Sequence, residues 1–250
     1  MTATRRVALI TPAGGYVGPD LARVLAADGH DLVLGWSTPA LVAELEVLGA
    51  TVIAVDGLGA EHEAATYSKL VQAALDHFGR IDAASMFSGS IIRGSFLRRA
   101  TSEHLDSLAK GLLNAPFEFL KAVSEPMVEQ GSGQILIFTS SSGAKVTPGA
   151  PMYSGLRAGA NHMIRNIAAE LAPYGVQLNI AGTNYMDFPQ YWDAMGGEDP
   201  GTRSKLEAQV PMGRMGRLDE LASLAKVFLD GSSGFMAGQV VNFDGGWSAF

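Results

Sequence analysis

The feature of this sequence that most constrains its fold is the regular alternation of short apolar runs with longer segments of helical periodicity. The apolar runs have the near-continuous hydrophobic character of strands that are covered on both faces. Such repetition predicts a Rossmann-like α/β fold, with a doubly wound parallel sheet of about seven strands in a three-layer α/β/α arrangement. The predicted strands are Val7–Thr11, Asp31–Trp36, Thr51–Val55, Ile81–Phe87, Gln134–Thr139, Val176–Ala181 and Val240–Phe243.

Amphipathic helical segments separate these strands, and two regions break the pattern. The long segment 101–129 is expected to be interrupted near Asn114-Ala115-Pro116, since proline disfavours helix at the preceding residue. The stretch 182–216 has no clean periodicity and is predicted to be a lid or binding loop. The whole chain, 1–250, is expected to form one domain. The predicted helices are 19–28, 39–48, 60–78, 101–129, 152–172 and 218–229.

Composition narrows the classes of function. The 250 residues carry a net charge of −7, so nucleic acids and anionic membranes are disfavoured as partners. The chain has no cysteine, which excludes disulfides and a thiolate nucleophile, and its five histidines show no metal-binding spacing. No stretch approaches the roughly 18 apolar residues of a membrane span, and the first apolar run is too short for a signal-peptide core. A soluble cytoplasmic protein without a metal is expected.

Three residues form a candidate catalytic group. Tyr153 and Arg157 lie four residues apart and therefore on one face of a predicted helix, so the guanidinium can lie beside the phenol oxygen and favour its ionised form. Ser140 ends a predicted strand, at the sheet edge where α/β proteins bind ligands. The run Thr139–Ser142 leaves the choice of serine open, although spacing favours Ser140. An exposed Tyr–Arg helix pair with no function is the alternative interpretation of Tyr153 and Arg157.

The loop TPAGGYVG, residues 11–18, stands where a Rossmann fold has its glycine-rich turn. Glycines there let the backbone approach a pyrophosphate. Pro12 and Tyr16 replace two of them and leave only Gly18 in register, and a tyrosine ring would fill the vacant space. Ser88-Gly89-Ser90 follows the fourth strand. These departures predict that no dinucleotide cofactor is bound.

Two resemblances follow from these motifs. The order of elements, the Ser140–Tyr153 spacing, VPMGRMGRLDELA at 210–222 and GQVVNFDGGW at 238–247 resemble the short-chain dehydrogenase/reductase family over essentially the whole chain. In that family a lysine stands where this chain has Arg157. The pattern Thr11-x4-Tyr16-x-Gly18, with Ser140-x12-Tyr153-x3-Arg157, is similar to the halohydrin dehalogenases, which use no nicotinamide cofactor.

The second resemblance implies a carbon–halide lyase that converts vicinal haloalcohols to epoxides and opens epoxides with azide, cyanide or nitrite. Tyr153 would be the base, Ser140 would hold the substrate oxygen, and Arg157 would assist Tyr153. A homotetramer is also implied, with the segments 101–129 and 152–172 as its bundle surfaces and the tail 247–250 reaching a neighbouring subunit. The expected halide- and substrate-binding residues are Thr11, Tyr16, Thr183, Asn184, Tyr185 and Met186.

Three points stay open at this stage. A divergent NAD(P)-dependent short-chain oxidoreductase and an inactive scaffold subunit are the rival functions. Phe188, Tyr191 and Trp192 are candidates either for the pocket wall or for a subunit interface. Taken alone, Tyr16 is equally compatible with a role as an aromatic residue packed in the core. Pro12 taken alone is equally compatible with a role as an ordinary turn residue.

Overall fold

A computed structural model of the chain describes residues 5–89 and 96–249. Ser90 and Phe250, which figured in the sequence predictions, lie outside the described residues. Seven parallel strands form one sheet in the order β3-β2-β1-β4-β5-β6-β7, which confirms the predicted Rossmann-like fold. The strands are Arg6–Thr11 (β1), His30–Gly35 (β2), Val52–Val55 (β3), Ala83–Phe87 (β4), Gly133–Ser140 (β5), Val176–Thr183 (β6) and Val240–Phe243 (β7).

Helices cover both faces of the sheet. One apolar layer packs the first, second and last helices against it, and a second layer packs the long central helices against the opposite face. The inner strands of the sheet are buried along most of their length, as the apolar runs predicted, whereas the edge strands β3 and β7 are mostly half-buried. The helices are Gly18–Ala27 (α1), Pro39–Val47 (α2), Ala64–Phe78 (α3), Phe96–Arg99 (α4), Ser102–Ala109 (α5), Ala115–Gln130 (α6), Pro151–Leu171 (α7), Pro189–Ala194 (α8), Pro200–Glu207 (α9) and Leu218–Leu229 (α10).

The interruption predicted near Pro116 is a change of helical pitch. A π-helical turn, Lys110–Asn114, joins α5 to α6, and Ala115 donates its backbone N–H to the carbonyl of Lys110. Pro116 follows the π turn directly and has no N–H to donate to the preceding turn. Proline therefore shifts the hydrogen-bond pattern there without ending the helix.

The region 182–216 carries two short helices, α8 and α9, instead of a structureless loop. Backbone bonds tether it to the end of β7, because Asn184 donates to the carbonyl of Phe243 and Met212 donates to the carbonyl of Gly245. The segment is thus an ordered cover over the carboxyl ends of β5 and β6. No helix within the described residues has the length and apolar character needed to cross a bilayer. The described residues likewise hold no cluster of three or more metal-ligating side chains.

Candidate active site

Ser140, Tyr153 and Arg157 lie around one small cavity, as their spacing predicted. Ser140 ends β5 at the ligand-binding edge of the sheet, and Pro151 begins α7, so Tyr153 falls in the first turn of that helix. All three side chains are at least nine-tenths buried. The cavity they line has a volume of about 60 Å³, which suits a ligand of only a few heavy atoms.

Arg157 connects Tyr153 to Ser88, the residue that follows β4. Its Nε donates to the Tyr153 hydroxyl at 3.3 Å, and one terminal nitrogen donates to the Ser88 carbonyl at 3.0 Å. None of the ion pairs found in the described part of the chain includes Arg157, although its side chain is only 2% exposed. A buried cation without a carboxylate favours negative charge nearby, so the site can accommodate an anionic oxygen of a bound ligand.

Two serines of the run Thr139–Ser142 face the ligand space. Ser140 and Ser142 both line the cavity, and Ser142 gives Ser140 Oγ two donors, its hydroxyl at 2.9 Å and its backbone N–H at 3.2 Å. These donors occupy acceptor positions on Ser140 Oγ and leave its own proton free to point at a ligand oxygen. Ser142 was missed in the sequence because an ambiguous serine run gives no orientation.

Five of the six other predicted site residues also line this cavity: Tyr16, Thr183, Asn184, Tyr185 and Met186. Thr11 does not. Its hydroxyl is buried beneath the first loop and has no hydrogen-bond partner among the described residues. Phe188 and Tyr191 are part of the wall, whereas Trp192 packs outside it, under Arg203. No sequence motif pointed to Phe87 or Thr147, which reach the cavity from parts of the chain far apart in sequence.

The loop 183–186 is arranged differently from the predicted anion site. The Asn184 N–H donates to the Phe243 carbonyl at 3.4 Å, and the Tyr185 N–H donates to the Asn184 side-chain oxygen at 3.0 Å. Two donors that were expected to face a halide are therefore used within the fold. The Tyr185 hydroxyl donates to Gln209, which attaches the loop to the segment after α9.

Tyr16 fills the place of a nucleotide-loop glycine. Its ring lies between those of Phe87 and Phe188 in tilted contacts, with ring centroids 4.4 and 4.7 Å away. Its hydroxyl donates to Thr183 Oγ1 at 2.7 Å, and Thr183 in turn donates to the Thr139 carbonyl. Burial raises the pKa of Tyr16 well above that of a free tyrosine, which keeps this donor protonated.

A nicotinamide dinucleotide does not fit these residues in the position where the glycine-rich turn of a Rossmann fold holds one. The backbone at Gly15 is open, with no atom near the place of a side chain, but the adjoining Tyr16 ring closes the approach to the acid–base residues. Glu61 lines the same groove and accepts the Gly89 N–H at 3.4 Å. Burial raises the pKa of Glu61, and when ionised it opposes a pyrophosphate.

Comparison with known proteins defines the family. A family model described as enoyl-(acyl carrier protein) reductase matches residues 17–248. The chain belongs to the short-chain dehydrogenase/reductase family. It is 31% identical to a 3-oxoacyl-[acyl-carrier-protein] reductase of Synechocystis sp. over the full length of both chains. It is 32% identical to a putative monensin polyketide synthase ketoacyl reductase of Streptomyces virginiae, covering 99% of each.

A solved structure agrees with these relatives. The crystal structure of levodione reductase superposes with a TM-score of 0.86 at 27% identity, covering 98% of each chain. These similarities contradict the prediction of a halohydrin dehalogenase, and with it the carbon–halide lyase and epoxide chemistry, because the relatives are named as reductases. The motif around Tyr16 and Arg157 was a weaker guide to the reaction than similarity over the whole chain.

Proposed function

We propose that this protein is a divergent short-chain oxidoreductase that interconverts a small carbonyl compound and its alcohol. The observation that carries the proposal is the convergence of Ser140, Tyr153 and Arg157 on one buried cavity, in a chain whose relatives are named as reductases. The cavity walls are mostly aromatic and aliphatic, which favours an apolar substrate.

The chain's own residues act on the substrate oxygen. Ser140 donates a hydrogen bond to that oxygen and fixes its position. Tyr153 gives the oxygen a proton when a carbonyl is reduced, and a nicotinamide nucleotide, when bound, would supply the hydride to the carbonyl carbon. When an alcohol is oxidised, Tyr153 removes the proton and the oxidised nucleotide would accept the hydride. Arg157, through its bond to the Tyr153 hydroxyl, stabilises the negative charge that remains on the phenol after proton donation. Holding the substrate oxygen and the Tyr153 phenol in one small cavity raises the reaction rate, because the reacting groups are already close together.

The test is a substrate screen with the unmodified protein. NADPH and NADH are each offered with a panel of small ketones, and nucleotide consumption and alcohol formation are measured together. The proposal predicts one alcohol formed for each nucleotide consumed. Failure of both nucleotides across the panel, with the protein shown to be folded, rejects it.

A further inference from the structure

A groove with a volume of about 330 Å³ lies beside the cavity of Tyr153 and shares the buried Tyr16 ring with it. It runs along the glycine-turn loop, and its volume is within the range of small-molecule sites. Much of its wall is aromatic. The rings that line it are those of Tyr16, Phe87, Phe188 and Tyr191. The groove is therefore a second space in which a ligand with an apolar body can be covered.

Glu61 is the one charged side chain among the described residues that line this groove. Its carboxylate accepts one long hydrogen bond, from the Gly89 N–H at 3.4 Å. None of the ion pairs found in residues 5–89 and 96–249 includes it. Burial raises the pKa of Glu61 more than the Gly89 N–H and the adjoining His62 lower it. A positive charge in the groove would therefore stabilise the ionised carboxylate.

An unpaired carboxylate beside several aromatic rings has the chemistry that recognises an organic cation. The carboxylate attracts an ammonium group and accepts its N–H bonds, while the rings attract the cation and cover its apolar body. The same carboxylate opposes an anionic ligand, and a neutral apolar ligand leaves it without a partner. The net charge of −7 also draws cations towards the protein. Charge and lining together thus favour a cationic ligand.

We propose that this groove binds an organic ammonium compound with an apolar body, whose charged nitrogen pairs with Glu61 while its body lies against the aromatic wall. Tyr16 keeps its buried position and forms part of that wall. Gln190 and Ala194, which also line the groove, are exposed, so the groove opens to solvent. The site is separate from the reaction at Tyr153 and does not depend on the proposed oxidoreductase function.

The experiment is calorimetric titration near neutral pH with two probes of nearly the same shape, 2-phenylethylammonium and the neutral 2-phenylethanol. We expect the unmodified protein to bind the ammonium probe at least about tenfold more tightly than the alcohol, because only the ammonium gains the charge-assisted bond and the aromatic attraction. Glu61→Gln keeps the shape of the side chain and removes its charge, so it should abolish this preference.

Glu63→Gln is the matched control. Glu63 is exposed, carries the same charge two residues further along the chain, and is not among the residues that line the groove. Its replacement changes the net charge by the same amount and should leave the preference intact. Ala194→Phe places bulk in the groove from its exposed side and keeps Glu61, so it should weaken the binding of both probes. Thermal unfolding shows that each variant is folded.

The outcomes are distinct. A preference for the ammonium probe that disappears in Glu61→Gln and survives in Glu63→Gln supports the proposal. Equal binding of the two probes, or no binding of the ammonium probe to the folded unmodified protein, overturns it. A preference that persists in Glu61→Gln, or is lost equally in Glu63→Gln, overturns it too, because the cation would then respond to charge elsewhere. None of these outcomes depends on ketone reduction, so the groove and the proposed function are tested separately.

Discussion

At the scale of single residues, Arg157 is the link of the candidate site, because it bonds to the Tyr153 hydroxyl and to the Ser88 carbonyl at the end of β4. Ser140, Tyr153 and Arg157 could be predicted because helical periodicity and the strand end fix their relative positions. Ser142 and Phe87 could not, because the orientation of a serine in a run and the meeting of distant elements depend on tertiary packing. Tyr16 was correctly expected to fill the place of a glycine. Its presence did not determine the reaction, since a blocked groove is compatible with more than one chemistry.

His30 carries a residue-scale prediction on stability. Burial lowers the pKa of this histidine, and Arg6 lowers it further, while Asp28 and Asp82 act weakly in the opposite direction. Its ring is placed as a neutral imidazole, with Nδ1 at 3.2 Å from the Leu25 carbonyl and Nε2 accepting from Arg6 Nε at 3.2 Å. Protonation would turn a second N–H towards the Arg6 guanidinium. The folded state therefore binds this proton less readily than the unfolded chain does.

The direction of the pH dependence of stability follows from that difference in proton binding. The contribution of His30 to the free energy of unfolding is fully present above about pH 6.5, the value for an unfolded histidine, and is lost as the pH falls below it. One proton accounts for at most about 1.4 kcal/mol per pH unit. Urea unfolding between pH 7.5 and 5 should show this loss, and His30→Asn should show less of it. Identical pH dependence in the two proteins would contradict the assignment.

At the scale of elements, the β–α alternation was sufficient to predict the sheet, because buried parallel strands and amphipathic helices have distinct periodicities. All seven strands were predicted within a few residues of their observed bounds. The two helices that cover the site, α8 and α9, were not predicted, since they are short and are stabilised mainly by contacts with other parts of the chain. Arg203 supplies several of these contacts. It bonds to Asp187, Glu198 and Glu207, and its guanidinium lies 4.7 Å from the Trp192 ring centroid.

These contacts predict that Arg203 fixes the aromatic wall of the site. Asp187 adjoins Phe188 and accepts from both Arg203 and the Trp192 indole N–H. Arg203→Gln removes the ion pairs and the cation–π contact, a loss of about 1 kcal/mol for a partly exposed group. Amide hydrogen exchange in residues 185–207 should therefore become roughly fivefold faster.

Arg217→Gln is the matched control for this experiment. Arg217 pairs with Asp219 at the start of α10 and is exposed. Its replacement should leave exchange in 185–207 unchanged. Equal exchange in that segment for Arg203→Gln and the unmodified protein would show that other contacts hold the wall.

At the scale of the whole molecule, we propose a homotetramer, together with a cytoplasmic location, and both stay predictions. The helices α6 and α7 border a surface groove lined by Phe117, Leu120, Val128, Ile167 and Leu171 among charged residues. Phe117 is 47% exposed and adds apolar surface to this groove. The tail residue Trp247 contacts Tyr185 and Lys145 of its own chain. Phe250 lies outside the described residues.

The tetramer can be tested by light scattering. The unmodified protein should have a mass four times that of the chain. Phe117→Glu places a charge on the α6 surface and should reduce the mass towards that of a smaller assembly, whereas Val47→Glu, at an exposed position on α2, should not. A monomer mass for the unmodified protein would refute the assembly.

The central claim is that Tyr153 exchanges the proton of a substrate oxygen in a short-chain oxidoreductase. The most direct measurement compares kcat for nucleotide-coupled ketone reduction in the unmodified protein, Tyr153→Phe and Tyr174→Phe, the last at an exposed position after α7. Tyr153→Phe should lower kcat by about 10² to 10⁴, the range of general acid–base catalysis, while Tyr174→Phe should not change it. An unchanged kcat in Tyr153→Phe would contradict the account.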